Sequence, residues 1–110
     1  MIEEILVNYL NEKLNVPAHT DYQNEEKFVL IEKTGGSEEN HIQSATVAIQ
    51  SYAETTYKAS ELNEKVKHAM KCIVELDSVS SCRLNSDYNY TDITRKRPRY
   101  QAVFNLVYFD

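Results

Sequence analysis

Apolar and polar positions along the chain follow two clear rhythms, and these divide it into helices and strands. Residues 2–15 place Ile2, Ile5, Leu6, Tyr9, Leu10 and Leu14 on one stripe at helical spacing. Glu3, Glu4, Asn8, Glu12 and Lys13 lie opposite. The spacing predicts an amphipathic helix, with early glutamates at the positive end of its dipole and Pro17 as its stop. Residues 18–26 are polar and irregular, with a short strand around Ala18–Tyr22. Residues 27–34 read as a strand that is apolar on both faces (Phe28, Val29, Leu30, Ile31) and so either central in the sheet or covered on both sides. Gly35-Gly36 marks a turn that needs positive φ, and Ser37–Asn40 extends it into an exposed acidic loop. By that reading, Gly35→Val should destabilise the fold through the turn.

Residues 41–53 alternate. Ala45, Val47 and Ile49 point one way, and Thr46, Ala48 and Gln50 the other, which predicts the second arm of an antiparallel hairpin with residues 27–34. Thr55 or Thr56 supplies an N-cap, and a second helix follows from Ala59. Its stripe is Leu62, Val66, Ala69, Met70, Ile73 and Leu76. Residues 79–90 form a strand with Tyr88 and Tyr90 on one face. Residues 92–98 are a turn, and Arg99–Phe109 is a last, strongly alternating strand. Its Tyr100, Ala102, Phe104, Leu106 and Tyr108 share one face. Val103, Val107 and Phe109 make the other too apolar for free solvent, a first sign of a subunit interface.

Short turns between consecutive strands imply antiparallel pairing, and two one-sided helices imply a shared covered face. The expected fold is α+β and occupies residues 1–110 as a single domain. It has one antiparallel or mixed sheet of about four to five strands, with two helices packed on one face.

Composition narrows what such a domain does. A net charge of −5 argues against general duplex-DNA binding and against an anionic membrane surface. The N-terminus carries Glu3 and Glu4 where a signal peptide has base, and no apolar run approaches the ~20 residues of a membrane helix. Cys72 and Cys82 are too few for a disulfide framework and too widely spaced for a metal pair, so they read as free thiols.

The search for chemistry returns little. His19, His41 and His68 fall in separate elements without a second ligand at helical or turn spacing, so neither a metal nor a cofactor is expected. The phosphate-binding, dinucleotide-binding, zinc-protease and nucleophile-elbow motifs are missing from the sequence. No residue is assigned a catalytic role.

The strongest local anomaly is Arg95-Lys96-Arg97-Pro98-Arg99, which gathers four of the 12 cationic residues of an acidic chain. It reads as a solvated hairpin tip, as a contact for an acidic neighbour such as Glu38 and Glu39 of another copy, or as a phosphate-backbone contact with Tyr88 and Tyr90 alongside. Arg95, Lys96, Arg97, Arg99, Glu38, Glu39, Tyr88 and Tyr90 are therefore the candidate interface residues. Eight tyrosines and no tryptophan fit surfaces with one apolar side and one wet side.

Several segments taken in order resemble one family. They are Lys27–Gly36 (KFVLIEKTGG), Ala45–Tyr52 (ATVAIQSY), Ala59–Val66 (ASELNEKV), Ser86–Tyr90 (SDYNY) and Arg99–Phe104 (RYQAVF). Together they are similar to the tail-terminator proteins of long-tailed phages and prophages, the tail completion and head–tail joining proteins of siphophages. The likeness runs over nearly the whole chain. It implies a structural virion protein with no enzymatic activity, made in the bacterial cytoplasm and placed at the head-proximal end of the tail. Such a protein forms a ring of six copies, caps the tail tube protein, meets the head connector, and lets DNA pass without specific binding. A small protein-binding adaptor, or a ligand-binding or enzymatic α+β domain, stands as the alternative.

Overall fold

The computed structural model describes residues 1–109. Its elements run α1 (Ile2–Lys13), β1 (Ala18–His19), β2 (Phe28–Glu39), β3 (Ile42–Tyr52), α2 (Thr56–Lys71), a 3-10 turn (Ile73–Glu75), β4 (Val79–Asn89) and β5 (Arg99–Phe109). The five strands form one mixed sheet in the order β1-β2-β3-β5-β4. β1 is parallel to β2, and every other pair is antiparallel. The α+β architecture expected from the alternation is the one observed.

The register sorts side chains between two faces. Val29, Ile31, Val47, Ile49, Ala102, Phe104 and Leu106 point to one face and are buried against Ile2, Leu6 and Leu10 of α1 and Leu62, Val66 and Met70 of α2. Both helices thus cover the same face, as their single apolar stripes require. Tyr9 ties them together by donating its hydroxyl to the carbonyl of Ala69 at 2.8 Å. Burial, reinforced by the charge of Glu75, pushes its phenol up to about 12.

Local signals explain the element ends. Thr55 caps α2 by accepting from the amide of Lys58 at 3.1 Å, so the helix begins at Thr56, a turn before the predicted Ala59. It also stops earlier. Ile73 is buried from within the 3-10 turn, and Leu76 lies at that turn's exit. α1 ends at Lys13, with Leu14 already extended (φ −103°, ψ 156°) ahead of Pro17. Asn11 then fastens β1 to α1, accepting from the amide of Ala18 at 2.9 Å.

The glycine pair is not the turn that its composition suggested. Neither Gly35 nor Gly36 has positive φ, and β2 runs through both to Glu39 with a register shift between Lys33 and Gly35. The reversal falls at Asn40–His41, both left-handed (φ 53° and 68°), and Ser37, Glu38 and Glu39 are strand residues paired with β3. Two successive left-handed residues are what a tight two-residue hairpin needs, and cross-strand pairing carries the glycines along. A Cβ at Gly35 meets nothing within 4 Å, so the predicted turn penalty for Gly35→Val has no basis. At Gly36 a Cβ comes within 3.1 Å of the carbonyl oxygen of Ser44.

Candidate interaction surfaces

The face of the sheet turned away from the helices carries Arg99 and Tyr88 at one end and Glu39 at the other, while Glu38, paired with Gln43, falls on the helix side of the hairpin. Tyr52 pairs with Arg99 at one end of the β3–β5 ladder and Ile42 with Phe109 at the other. Ten residues of strand separate them, roughly 33 Å at about 3.3 Å per residue. The basic turn lies at the first end and Glu38 and Glu39 at the second, so the two groups do not meet within one copy.

At the basic end, Phe28 of β2 and Tyr52 of β3 are cross-strand partners. Their rings stack with centroids 4.7 Å apart and planes 5° from parallel. Tyr22, in the segment between β1 and β2, packs edge-on against both at 5.6 and 5.5 Å. The turn after β4 folds over this cluster and is closed by Asp92, which is 4% exposed. The carboxylate of Asp92 accepts from the Tyr52 hydroxyl (3.0 Å), the Arg95 guanidinium (3.1 Å) and the Arg95 amide (3.1 Å). Arg99 lies 3.7 Å away. Burial opposes the charge of Asp92, but the bonds from Arg95 and Tyr52 and the charge of Arg99 together outweigh it. They hold the carboxyl below its ordinary value of 3.8.

The arginines of the anomalous cluster are largely engaged within their own chain. Arg97 donates to the carbonyls of Glu25 (2.6 Å) and Glu26 (2.7 Å) and to the Tyr22 hydroxyl (3.3 Å), and its guanidinium lies 5.3 Å from the Tyr52 ring. Arg99 donates to the Tyr90 carbonyl (2.6 Å) and the Tyr52 hydroxyl (3.0 Å) and sits 4.3 Å over the Tyr90 ring. Arg95 covers the Tyr22 ring at 4.0 Å. Lys96, left-handed at φ 54°, is exposed at the tip. These contacts fasten residues 22–26 and the turn to the sheet, a role that composition did not reveal. The missed partners are Tyr22, Phe28 and Asp92. The only signal for them was the nearness of an acid and aromatics to the arginines, and that pattern did not single them out.

Tyr88 of β4 and Tyr90 just past its end lie with rings edge to face at 5.9 Å. The Tyr88 hydroxyl accepts from Gln101 (2.6 Å), whose carbonyl oxygen accepts from Gln50 (2.8 Å). This ladder floors a shallow depression of about 410 Å³ that Glu32 and Arg99 also line. At the far end, every residue from Glu32 to Ile42 is exposed. Glu38 accepts from Gln43 at 2.7 Å, and the Glu39 side chain has no partner among the described residues.

Cys72 is exposed at the end of α2. Cys82, on β4, is half-buried, and burial pushes its thiol up to about 11. Among the described residues no group of three or more His, Cys, Asp or Glu is placed to hold a metal, and no helix is long and apolar enough to cross a membrane. No protein-family model matches the chain, and no curated protein matches it.

Proposed function

We propose that this chain is an assembly protein that works by joining copies of itself head to tail into a closed ring, in the setting of a phage tail end. The setting comes from the resemblance in Lys27–Gly36, Ala45–Tyr52 and the later segments. One structural observation supports the mode of action: the acidic hairpin and the basic turn lie at opposite ends of one continuous sheet. Contact between copies then joins unlike patches, the heterologous contact from which closed rings are built. In this reading the ring stops elongation of the tube protein and presents its free side to the head connector, and the net acidic subunit lets DNA pass without holding it.

Sedimentation velocity over a concentration series, with and without purified tail tubes, tests the proposal. A discrete ring-sized species or stoichiometric capping of tube ends is expected. A chain that remains monomeric under both conditions overturns the reading.

A further inference from the structure

We infer that copies in the ring join margin to margin, the free edge of β2 in one copy pairing along the free edge of β4 in the next. This assignment rests on the ring reading above and names the contact within it. Both margins are open. β1 covers β2 only at Val29 and Leu30, and every residue of β2 from Glu32 to Glu39 is exposed. β4 is the outermost strand on the other side. Among the described residues, neither stretch has a backbone hydrogen bond outside its single ladder. A row of unpaired amides and carbonyls is a template for another strand.

Strand direction suits the join. β2, β3, β5 and β4 alternate in direction, so β4 runs opposite to β2. A second copy laid beside the first in the same orientation presents its β2 antiparallel to that β4, and the alternation continues unbroken from copy to copy. Closing the ring leaves no margin open.

The irregularities of the two edges choose the register. A bulge ordinarily blunts an edge by disrupting its pairing. β2 carries one extra residue, Thr34, between Lys33 and Gly35, and β4 carries one, Asn85, between Leu84 and Ser86. With Lys33 opposite Asp87, the two extra residues fall side by side and the strands keep step past them. The pairing then runs from Glu32 opposite Tyr88, just beyond β1, to Glu39 opposite Ser81. Ser80, the other extra residue of β4, lies past its end. Opposed residues share a face throughout: Lys33 and Asp87 lie on the helix side, Ser37 and Arg83 on the other.

Charge and shape agree with this register. Lys33 has no ion pair or side-chain hydrogen bond among the described residues, and it meets Asp87, held in its own chain only by Asn63 at 3.3 Å and Lys67 at 3.4 Å. Arg83, equally without a partner, lies diagonal to the free side chain of Glu39. No like charges are opposed. Leu84, 47% exposed, comes opposite Gly36, against the methylene stem that Lys33 lays there. A slip of two residues either way keeps the faces but parts the two extra residues and separates Lys33 from Asp87.

Cysteine pairs test the register, in chains carrying Cys72→Ser and Cys82→Ser, on purified tail tubes if the free chain does not associate. Ser37→Cys with Arg83→Cys sets two thiols directly opposite across the join and should give a ladder of covalent oligomers on mild oxidation. Glu32→Cys with Arg83→Cys, on the same face but far out of register, should give none. In sedimentation velocity Lys33→Glu should weaken association about tenfold, and Lys33→Glu with Asp87→Lys should recover most of it. Lys96→Glu, in the basic turn, should leave it within about twofold. Unchanged circular dichroism checks that each variant folds. Rings that form without the cross-link between positions 37 and 83, a charge exchange that recovers nothing, or a loss at Lys96→Glu as large as at Lys33→Glu overturns the margin pairing while the ring stands. Failure of the unaltered chain to associate alone or on tubes overturns the ring reading itself, and the margin pairing with it.

Discussion

The two turns that close the ends of this sheet are built on opposite plans. The turn between β4 and β5 is held by tertiary contacts: Asp92 inside it, aromatic rings beneath it, and Arg97 reaching back to the carbonyls of Glu25 and Glu26. The turn between β2 and β3 is held by the strand ladder, with exposed side chains from Glu32 to Ile42. Both are conspicuously charged in the sequence. The difference shows that a run of charge is informative about partners only after the charges spent inside the chain are subtracted. By that measure the acidic tip is the freer surface and the basic one is largely a fastening.

The contrast breaks most visibly at Asp92. Removing its carboxylate in Asp92→Ala leaves the buried Tyr52 hydroxyl without its acceptor and the shielded Arg99 guanidinium without its counter-charge. Stripping one partner from a buried ionic network costs about 3 kcal/mol. Urea denaturation should show that loss as a lower midpoint at unchanged slope. Glu38→Ala with Glu39→Ala, the matching deletion at the other tip, should change stability by less than about 0.5 kcal/mol. Equal losses at the two ends would refute the division.

Arg97→Ala is the next largest effect. It removes two short bonds to backbone carbonyls and a ring contact, and it should cost about 1–2 kcal/mol. The more specific readout is local. Residues 20–26, fastened by Arg97, should become the first site of limited proteolysis, at protease levels that leave the unaltered chain intact. Cleavage confined to the Asn40–His41 turn would mean that Arg97 is not the fastening.

Acid acts on the same end with a defined sign. The folded-state pKa of Asp92 lies below its ordinary value of 3.8, so the native state binds this proton less readily than the unfolded chain. Its contribution is present above that value and is lost as pH falls through the lower folded pKa. Stability of the unaltered chain should therefore drop below about pH 4, and Asp92→Asn should remove part of that slope. An identical slope in Asp92→Asn would place the acid sensitivity elsewhere.

Much of this architecture was legible because burial imposes period. The α1 stripe, the alternation of residues 45–49 and that of Arg99–Phe109 each face a core, and each mapped onto an observed element. Where no core imposes a period, local composition misled. Gly35-Gly36 carried the strongest turn signal, yet cross-strand pairing to Thr46 and Ala45 kept it extended. The candidate surfaces were legible in their charges but not in their engagement. Arg97 meets Glu25 and Glu26 across more than seventy residues of chain, and no local pattern encodes such a contact.

The smallest effect separates the two turns by backbone rather than side chain. His41 occupies the left-handed region at φ 68°, where a Cβ crowds the following carbonyl oxygen and glycine does not. The preceding Asn40, also left-handed, is the residue type best suited to the first position of such a turn. His41→Gly creates the favoured Asn-Gly pair and removes an exposed side chain with no partner among the described residues. The relief of strain is partly offset by the greater freedom of glycine in the unfolded chain. The net gain should be about 0.5 kcal/mol, read as a midpoint shift in urea. Lys96, left-handed at φ 54° in the basic turn, offers the control. Lys96→Gly relieves the same crowding, and because Asp92 and its donors hold that turn from outside the backbone, the gain should again be small and should persist when Asp92 is intact. If His41→Gly instead destabilises the protein, the imidazole is making a contact that holds the acidic tip, and that tip is not governed by its ladder alone.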